Sequence, residues 1–351
     1  MFDSLIGNER VKGYLTRMVE RGMVGQSFLF AGPNGIGKSL FAQALASLLI
    51  GETERIQHGN HPDVRTYRPE GKIGMHSIDS MRQFNTDVYL SPMEAQRKVF
   101  IIHDADRMLR TSANALLKTF EEPADDTVII LLSSSPENLL TTVLSRCRRV
   151  YFQPIENPLI IDWLVAHDID REIAAKVVPF ANGSLAEALR LCEHGEDEVR
   201  ELVLQVLSEE NHRYRDLQQF SKNVGDYFDR IKSEMESAAR QELTKIDKEN
   251  MSVAQRDFIE KEINGVVSIN FQAEVDRLLQ VVISWYRDLH LLQVGGDESL
   301  LVNKDHLDAL KGKKKTCSLD KVQDLVGQMR LAVQRFAPID SSLETLFLQL
   351  S

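Results

Sequence analysis

The sequence has few cysteines and no long hydrophobic run, and both absences narrow what the protein can be. Its three cysteines, Cys147, Cys192 and Cys317, stand far apart among 351 residues, so no disulfide framework is expected. No run of ~18 apolar residues occurs, so no membrane helix is predicted. The stretch from Met1 to Gly7 lacks the basic-then-apolar order of a signal peptide. Together these absences predict a protein of the reducing cytoplasm.

A surplus of basic charge is also missing. The formal net charge is −10, which argues against a simple basic nucleic-acid binder. Residues 1–182 carry 20 Lys and Arg against 22 Asp and Glu, whereas the remainder carries 22 against 30. We therefore expect any contact with DNA to come from the first half of the chain, as one patch within a larger assembly.

One short motif in the first half indicates a phosphate-binding loop. It fits G-x-x-x-x-G-K-[ST], follows the apolar run Phe28–Ala31, and precedes a predicted helix at Leu40–Ala46. Glycines at these positions let backbone N–H groups point at phosphate oxygens, and the helix N-terminus adds partial positive charge. Lys38 would reach the β- and γ-phosphates, and the hydroxyl of Ser39 would contact Mg²⁺. The predicted nucleotide-binding residues are Gly32, Pro33, Asn34, Gly35, Ile36, Gly37, Lys38 and Ser39.

The first ~155 residues alternate between helix and strand patterns, which predicts an α/β fold with a mostly parallel sheet. The predicted strands are short, apolar and continuous, as in a sheet covered on both faces, with a last short strand before Pro154. The predicted helices include one that is stopped before Pro123. The strands are Ser27–Ala31, Val99–Ile102, Thr127–Leu132 and Val150–Phe152, and the helices are Glu9–Val19 and Ala113–Phe120.

Beyond residue 155 the pattern becomes helical. Short helices are predicted at Leu159–Ala166, at Glu172–Phe180 and from Leu185 onward. We expect three domains: an α/β domain at 1–155, a small helical domain at 156–196 and an all-helical domain at 197–351.

Two charged stretches of the helical region have a simple interpretation and a functional alternative. Asp226–Ile263 alternates acidic and basic residues, which favours a long solvated helix or helical hairpin over a DNA-binding arm. Lys311–Lys315 is predicted to be a basic loop, which is more often solvated than a phosphate site.

The expected metal-binding position after the second strand is altered. A P-loop ATPase places an acidic Mg²⁺ ligand there, commonly followed by a glutamate that polarises water. Here the strand is followed by His103, Asp104 and Asp106, so an imidazole takes the ligand position and Asp104 takes the place of the glutamate. Because Mg²⁺ prefers oxygen ligands, we interpret this as a degraded hydrolysis site. The alternative is that Asp104 or Asp106 binds the metal through a shifted turn.

Ser145-Arg146-Cys147 forms the third motif, directly after a short helical pattern. An arginine at a helix end near the rim of the sheet can reach the γ-phosphate held by a neighbouring subunit. On spacing alone, an ordinary surface arginine is the alternative.

Three blocks taken together resemble the AAA+ clamp-loader subunits of bacterial DNA polymerase III. They are the P-loop, the segment Ala113–Pro123 that ends in Glu121-Glu122-Pro123, and Ser145-Arg146-Cys147. Asn60-His61-Pro62-Asp63 is also similar to a segment of the bacterial members. The resemblance implies an AAA+ nucleotide-binding domain, a small helical lid and an α-helical collar that assembles with other subunits. It also implies ATP and Mg²⁺ as cofactors.

The same resemblance suggests roles for individual residues. Arg146 would act in trans on the ATP site of an adjacent motor subunit, and Ser133 or Ser134 would be the polar sensor near the γ-phosphate. The segment that carries a second sensor arginine in motor subunits has Ala186 at that position here, with Arg190 one turn later. After the replaced metal ligand, this would be the second residue needed for hydrolysis that the chain lacks.

A zinc module that is common in these subunits is absent. Residues 49–66 contain no cysteine, and His58 and His61 cannot supply four ligands, so no zinc site is expected and neither histidine is predicted to bind a metal.

The resemblance therefore implies a clamp-loader subunit within the DNA polymerase III holoenzyme that helps to load a sliding clamp onto primed DNA. It would bind nucleotide weakly or without hydrolysis and offer Arg146 to a neighbour. The alternatives are an ATPase that turns over ATP in its own site and a binding module outside any loader. The implied partners are other loader subunits of motor and delta type, the sliding clamp and primer–template DNA, with no membrane.

Overall fold

The computed structural model describes residues 2–71, 74–194, 198–209, 214–243, 253–313 and 317–350. The chain forms two compact units, one made of residues 1–70 and 74–194 and the other of residues 71–73 and 195–351. The division of the chain into domains at 1–155, 156–196 and 197–351 stays a prediction.

The first unit alternates helices and strands and then continues with helices alone. Its strands are β1 (Ser27–Ala31), β2 (Val64–Tyr67), β3 (Lys98–Ile102), β4 (Thr127–Ser133) and β5 (Arg148–Tyr151). Its helices are α1 (Glu9–Glu20), α2 (Lys38–Ile50), α3 (Thr53–Gln57), α4 (Ile78–Val88), α5 (Arg110–Ala115), α6 (Leu117–Glu121), α7 (Thr141–Leu144), α8 (Asn157–Ala166), α9 (Arg171–Val177) and α10 (Leu185–His194).

The five strands form one parallel sheet in the order β2-β3-β4-β1-β5, which confirms the predicted α/β class. Every residue of β1, β3 and β4 is buried. Alternate residues face two cores: Phe28 and Phe30 of β1 belong to one, and Leu29 of the same strand belongs to the other. Burial on both faces explains why these strands appear as continuous apolar runs.

The structure differs from the predicted elements at three places. Strand β2 was missed because Arg65 and Thr66 are exposed at the edge of the sheet and interrupt the apolar pattern. The predicted helix Ala113–Phe120 is two short helices, α5 and α6, which meet at Leu116. The last strand begins at Arg148 instead of Val150, because it pairs with β1 from Phe28 onward.

Helices α8 to α10 enclose a small apolar core of their own around Ile160, Leu164 and Val178. The predicted helix Glu172–Phe180 ends as an α-helix at Val177 and continues as a 3-10 turn over Val178–Ala181. Pro179 has no N–H to continue the α-helical pattern, which accounts for the change.

The second unit is helical throughout its described part, as predicted. Its α-helices are α11 (Glu198–Ser208), α12 (Tyr214–Leu243), α13 (Val253–Gln293), α14 (Leu307–Gly312), α15 (Leu319–Gln334) and α16 (Ile339–Leu350). They bury one large core around Trp285 and Phe228. Within the described ranges, no helix combines the length and apolar composition that a bilayer crossing requires.

The two charged stretches fall only partly within the described residues. Asp226–Ile263 covers the end of α12 and the start of α13, with residues 244–252 outside the described ranges. Lys311, from the predicted basic loop, lies in the last turn of α14 and pairs with Glu298 at 2.7 Å. Residues 314 and 315 lie outside the described ranges.

Candidate functional site

The glycine-rich loop connects β1 to α2 at the carboxyl edge of the sheet, where the sequence placed it. Gly35 has φ +73°, and a Cβ at this position would lie 2.1 Å from the Oγ of Ser184. At Gly32, a Cβ would lie 2.5 Å from the backbone oxygen of Phe152. A side chain at either position would therefore collide with its neighbours, so both positions require glycine.

The loop borders a cavity of about 320 Å³. Most of the predicted nucleotide-binding residues line it, together with Ser133 from the end of β4, whereas Gly32, Pro33 and Ser134 are not part of its lining. The lining consists of Leu5, Ile6, Asn34, Gly35, Ile36, Gly37, Lys38, Ser39, Leu40, Phe41, His103, Asp104, Leu132, Ser133, Ile155, Leu185, Ala186 and Leu189. The lining combines polar groups, such as Lys38 and Ser39, with apolar side chains, such as Leu5 and Leu189, as small-molecule sites commonly do.

Lys38 is buried and turned towards its own loop. Its Nζ donates hydrogen bonds of 2.6 Å to the backbone oxygens of both Gly32 and Pro33. Burial lowers the pKa of Lys38 to about 8, against the opposing influence of Asp104 and Asp106. A bound phosphate would therefore compete with two carbonyl groups of the loop for this ammonium group.

The acidic turn after β3 is held by internal contacts. Asp104 has φ 46° and begins a 3-10 turn at Ala105–Arg107. Burial raises the pKa of Asp104. The hydroxyl of Ser133 donates a hydrogen bond of 2.5 Å to Oδ1 of Asp106. One carboxyl thus lies in surroundings that disfavour its charge, and the other already accepts a hydrogen bond from the protein.

His103 occupies the position expected for a metal ligand, but neither of its ring nitrogens suits a metal. Nη1 of Arg68 lies 3.3 Å from Nδ1 of His103. Because a guanidinium can only donate, Nδ1 accepts this bond and the proton of the neutral ring resides on Nε2. Burial, with help from the charge of Arg68, lowers the pKa of His103 to about 3, so the ring is neutral. This set of donors does not fit Mg²⁺, which requires oxygen ligands in octahedral geometry.

The start of α10 covers the phosphate loop. The N–H of Ala186 donates to the backbone oxygen of Gly35 at 3.3 Å, and Ser184 packs against the same glycine. Ala186, in the position of the second sensor arginine, thus contacts the loop directly. Arg190 forms an ion pair with Glu187 at 2.8 Å.

Arg146 lies just beyond α7 and is partly exposed, with 30% of its side chain accessible. Its Nε and Nη2 both donate to Oε1 of Glu121, at the end of α6. Its Nη1 donates to the backbone oxygen of Thr142 at 2.7 Å. The guanidinium is therefore fixed in one orientation at the protein surface.

His58 and His61, the two histidines of the cysteine-free segment 49–66, form hydrogen bonds. Nδ1 of His61 accepts from the N–H of Asp63 at 3.1 Å, and Nδ1 of His58 lies 2.8 Å from the backbone oxygen of Glu54. His61 also lies near Glu52 and Glu94, in an arrangement that could hold a metal ion. However, Arg55 pairs with both carboxylates, at 2.9 and 2.7 Å. The cation that these acids hold is an arginine of the chain itself.

Asp63 of the Asn-His-Pro-Asp segment has a structural role that the sequence did not reveal. It is buried, and its carboxylate accepts backbone N–H bonds of 2.6, 2.8 and 2.8 Å from Met93, Glu94 and Ala95. Burial raises the pKa of Asp63, but these bonds outweigh that effect and hold it below its ordinary value.

Sequence reasoning also missed Arg68 and Glu121 as members of the two sites. Arg68 follows β2, the strand that the pattern did not predict, so nothing placed it beside His103. Glu121 lies in a block that was singled out, but no spacing rule links it to Arg146, 25 positions away.

Comparison with known proteins identifies relatives of the first half of the chain. Residues 7–156 match the family described as DNA polymerase III, delta subunit. DNA polymerase III subunit delta′ of Bacillus subtilis is 33% identical over 200 residues, which cover 53% of this chain and 60% of that protein. The delta′ subunit of Pseudomonas aeruginosa is 33% identical over 196 residues, covering 52% and 59%. The tau subunit of Escherichia coli is 28% identical over 210 residues, covering 54% and 32%.

These matches show that the first half of the chain is similar to subunits of DNA polymerase III, in agreement with the resemblance of its motifs. The matched part spans about 60% of the length of the delta′ relative from Bacillus. Among solved structures, a gamma subunit-related protein of DNA polymerase III from Thermotoga maritima aligns over 95% of this chain and 98% of its own. It does so at 15% identity and a TM-score of 0.47. A RuvB mutant from the same organism aligns over 87% and 89%, at 17% identity and a TM-score of 0.43.

Proposed function

We propose that this protein is a clamp-loader subunit that helps to load the sliding clamp onto primed DNA in an ATP-driven cycle. In this proposal Arg146 completes the ATP site of a neighbouring subunit, while the chain's own pocket binds nucleotide weakly or without hydrolysis. The relatives named delta′ support the assignment to a loader. The geometry of the phosphate-loop pocket and of Arg146 supports the proposal that hydrolysis occurs in the neighbour's site and not in the chain's own.

The observation that carries the proposal is His103, which stands where a working P-loop ATPase holds Mg²⁺ with an acidic residue. Its ring is neutral, its Nδ1 lies 3.3 Å from Nη1 of Arg68, and Mg²⁺ prefers oxygen ligands. Ala186, which lines the same cavity, offers no charge to a phosphate. Both features disfavour hydrolysis in the chain's own pocket.

ATP is the cofactor that the pocket would accept. Lys38 and Ser39 would contact its phosphates, and Ser133, which lines the cavity, takes the sensor position in place of Ser134. Asp104 is the remaining carboxyl of the lining, but burial raises its pKa and thus disfavours its charged form. Mg²⁺ would lack the acidic ligand that hydrolysis requires.

A hydrolysis-competent ATPase is the second candidate. The intact Gly32–Ser39 loop favours it, and so does the similarity to the tau subunit of Escherichia coli. It requires turnover in the chain's own pocket that depends on Mg²⁺ and Lys38.

The remaining parts of the proposal concern assembly. The helical second unit would form a collar with other loader subunits, and the sliding clamp and primer–template DNA would be met through that assembly in the cytoplasm. A chain that ends near Gly195 should keep the fold of the first unit but leave the complex. A binding module outside any loader would instead remain a monomer that ignores the other subunits.

The test is ATP turnover by the reconstituted loader with clamp and primed DNA. We expect Arg146→Ala to lower turnover tenfold or more, about 1.4 kcal/mol of transition-state stabilisation. Lys38→Ala is the matched control and should leave turnover within about twofold. Gel filtration must show that both variants assemble. The reverse pattern, in which turnover is lost with Lys38→Ala but kept with Arg146→Ala, would establish the chain as the second candidate.

A further inference from the structure

The guanidinium of Arg146 is held by two elements that precede it in the chain. Glu121, the last residue of α6, accepts from both Nε and Nη2, and the backbone oxygen of Thr142 in α7 accepts from Nη1 at 2.7 Å. Nη1 also lies 3.3 Å from the Oγ of Ser145. These contacts involve all three nitrogens of the planar group and fix both its direction and its plane.

The same contacts leave part of the guanidinium for a partner. Arginine has five N–H groups, and the bonds to Glu121 and Thr142 use one each on Nε, Nη2 and Nη1. A second N–H remains on Nη2, whereas the second N–H of Nη1 donates to the Oγ of Ser145 at 3.3 Å. The side chain as a whole is partly exposed, at 30%.

Glu121 stands on a rigid base. The two residues before it, Thr119 and Phe120, are only 1% and 2% exposed. The hydroxyl of Thr119 donates to the side chain of Asn85, and the hydroxyl of Ser27 in β1 lies 3.4 Å from the backbone oxygen of Phe120. The carboxylate is therefore tied to the sheet and to α4, and it can hold an arginine at a fixed place.

A carboxylate at this place needs such a partner. It lies at the C-terminal end of α6, where the exposed carbonyl groups carry partial negative charge. The charge of Arg146 compensates this repulsion. The ion pair is thus favourable for both residues, although it lies at the surface, where solvent weakens it.

We propose that Glu121 is the positioning residue for Arg146, orienting the guanidinium before the neighbouring subunit arrives. This inference rests on the proposed role of Arg146 in a neighbour's ATP site. A free arginine would have to lose rotamer freedom at each encounter, whereas the two bonds to Oε1 of Glu121 have already fixed it. The second N–H of Nη2 then meets the developing charge of the γ-phosphate in a prepared geometry.

The experiment compares two adjacent glutamates in the reconstituted loader with clamp and primed DNA. Glu121→Gln removes the charge and retains the shape, and Glu122→Gln is the matched control because Glu122 is exposed beside it. We expect Glu121→Gln to lower kcat about fivefold with KM unchanged within twofold, and Glu122→Gln to change neither beyond twofold. Thermal melting of the isolated variants verifies that both are folded.

A double-mutant cycle separates positioning from an independent effect. In the Arg146→Ala background, Glu121→Gln should cause no further loss, because the residue that it positions is gone. Multiplied losses would overturn the inference, and so would an unchanged or raised kcat in Glu121→Gln alone. If Arg146→Ala itself leaves turnover unchanged in an intact loader, the proposed function fails instead, so the two failures are distinguishable.

Discussion

The phosphate-loop pocket and the Arg146 edge belong to the same unit but differ in what their charged groups contact. In the pocket, Lys38 is buried and donates to the carbonyl groups of its own loop. At the edge, Arg146 is partly exposed and is held by a carboxylate that leaves the second N–H of Nη2 for a partner. The first cation is directed inward, whereas the second is presented at the surface.

This difference teaches that an intact sequence motif does not fix the state of a site. The P-loop fits its pattern at every fixed position, yet its lysine and the neighbouring His103 are satisfied by the protein itself. Ser145-Arg146-Cys147 is a much shorter motif, yet its arginine is the cation that lies partly exposed at the surface. The neighbours of a motif in space decide what its residues can do.

The largest expected effect concerns the charge of Lys38. Burial lowers its pKa from 10.5 to about 8. Between these values the unfolded chain binds a proton that the folded chain does not, so the free energy of unfolding rises with pH across this window. We expect the free energy of unfolding of the wild type, relative to that of Lys38→Met, to rise by about 3 kcal/mol from pH 8 to pH 10.5.

Chemical denaturation of both proteins at several pH values measures this difference, and other groups that titrate in the window cancel. A flat difference would mean that Lys38 is solvated. Lys38 and Arg146 would then no longer differ in whether the protein itself binds their charged groups.

The next effect concerns the contact between α10 and the phosphate loop. Gly35→Ala adds a Cβ at a positive φ, 2.1 Å from the Oγ of Ser184, whose hydroxyl also accepts from the N–H of Glu187. We expect it to destabilise the protein by about 2 kcal/mol through backbone strain and loss of this cap. Gly51→Ala is the control, since Gly51 has φ +94° and open space around it, and about 1 kcal/mol is expected.

Thermal melts of the two variants measure the contrast. Equal losses would show that α10 is displaced from the loop in solution. The pocket would then be open to phosphate, and Lys38 would be accessible to a ligand, as Arg146 is.

The smallest effect is a gain of metal dependence. His103→Asp places an oxygen ligand where the imidazole now accepts from Arg68. We expect this variant to bind ATP about fivefold more tightly in Mg²⁺ than in EDTA, whereas wild type and the control His103→Asn differ less than twofold. Calorimetric titration with ATP checks this. A fivefold dependence in the wild type would instead indicate that Asp104 or Asp106 already serves as a metal ligand.

The strands of the sheet show how far sequence patterns reach. Strand β1 was predicted with its observed limits, and β3 and β4 within one residue at an end, because burial on both faces makes each a continuous apolar run. Strand β2 was not predictable in this way, since it lies at the edge and half of it is exposed. Missing β2 also meant missing Arg68, and with it the partner of His103.

In the candidate site, too, some features could be predicted from local sequence and others could not. The loop residues and the altered metal position follow from spacing alone, since a P-loop and a strand end are local features. The direction of Lys38, the proton on Nε2 of His103 and the pairing of Arg146 with Glu121 depend on residues that are distant in sequence. Local patterns contain no information about such contacts.

By itself the sequence determined the parallel α/β class, the place of the phosphate loop and the helical character of the remainder. These features depend on hydrophobic periodicity and on glycine, which act over a few neighbouring residues. Only the tertiary structure decided which charged groups are satisfied internally and which remain for a partner. That outcome depends on burial and on hydrogen-bond geometry, which arise when β2, β3, α6, α7 and α10 come together.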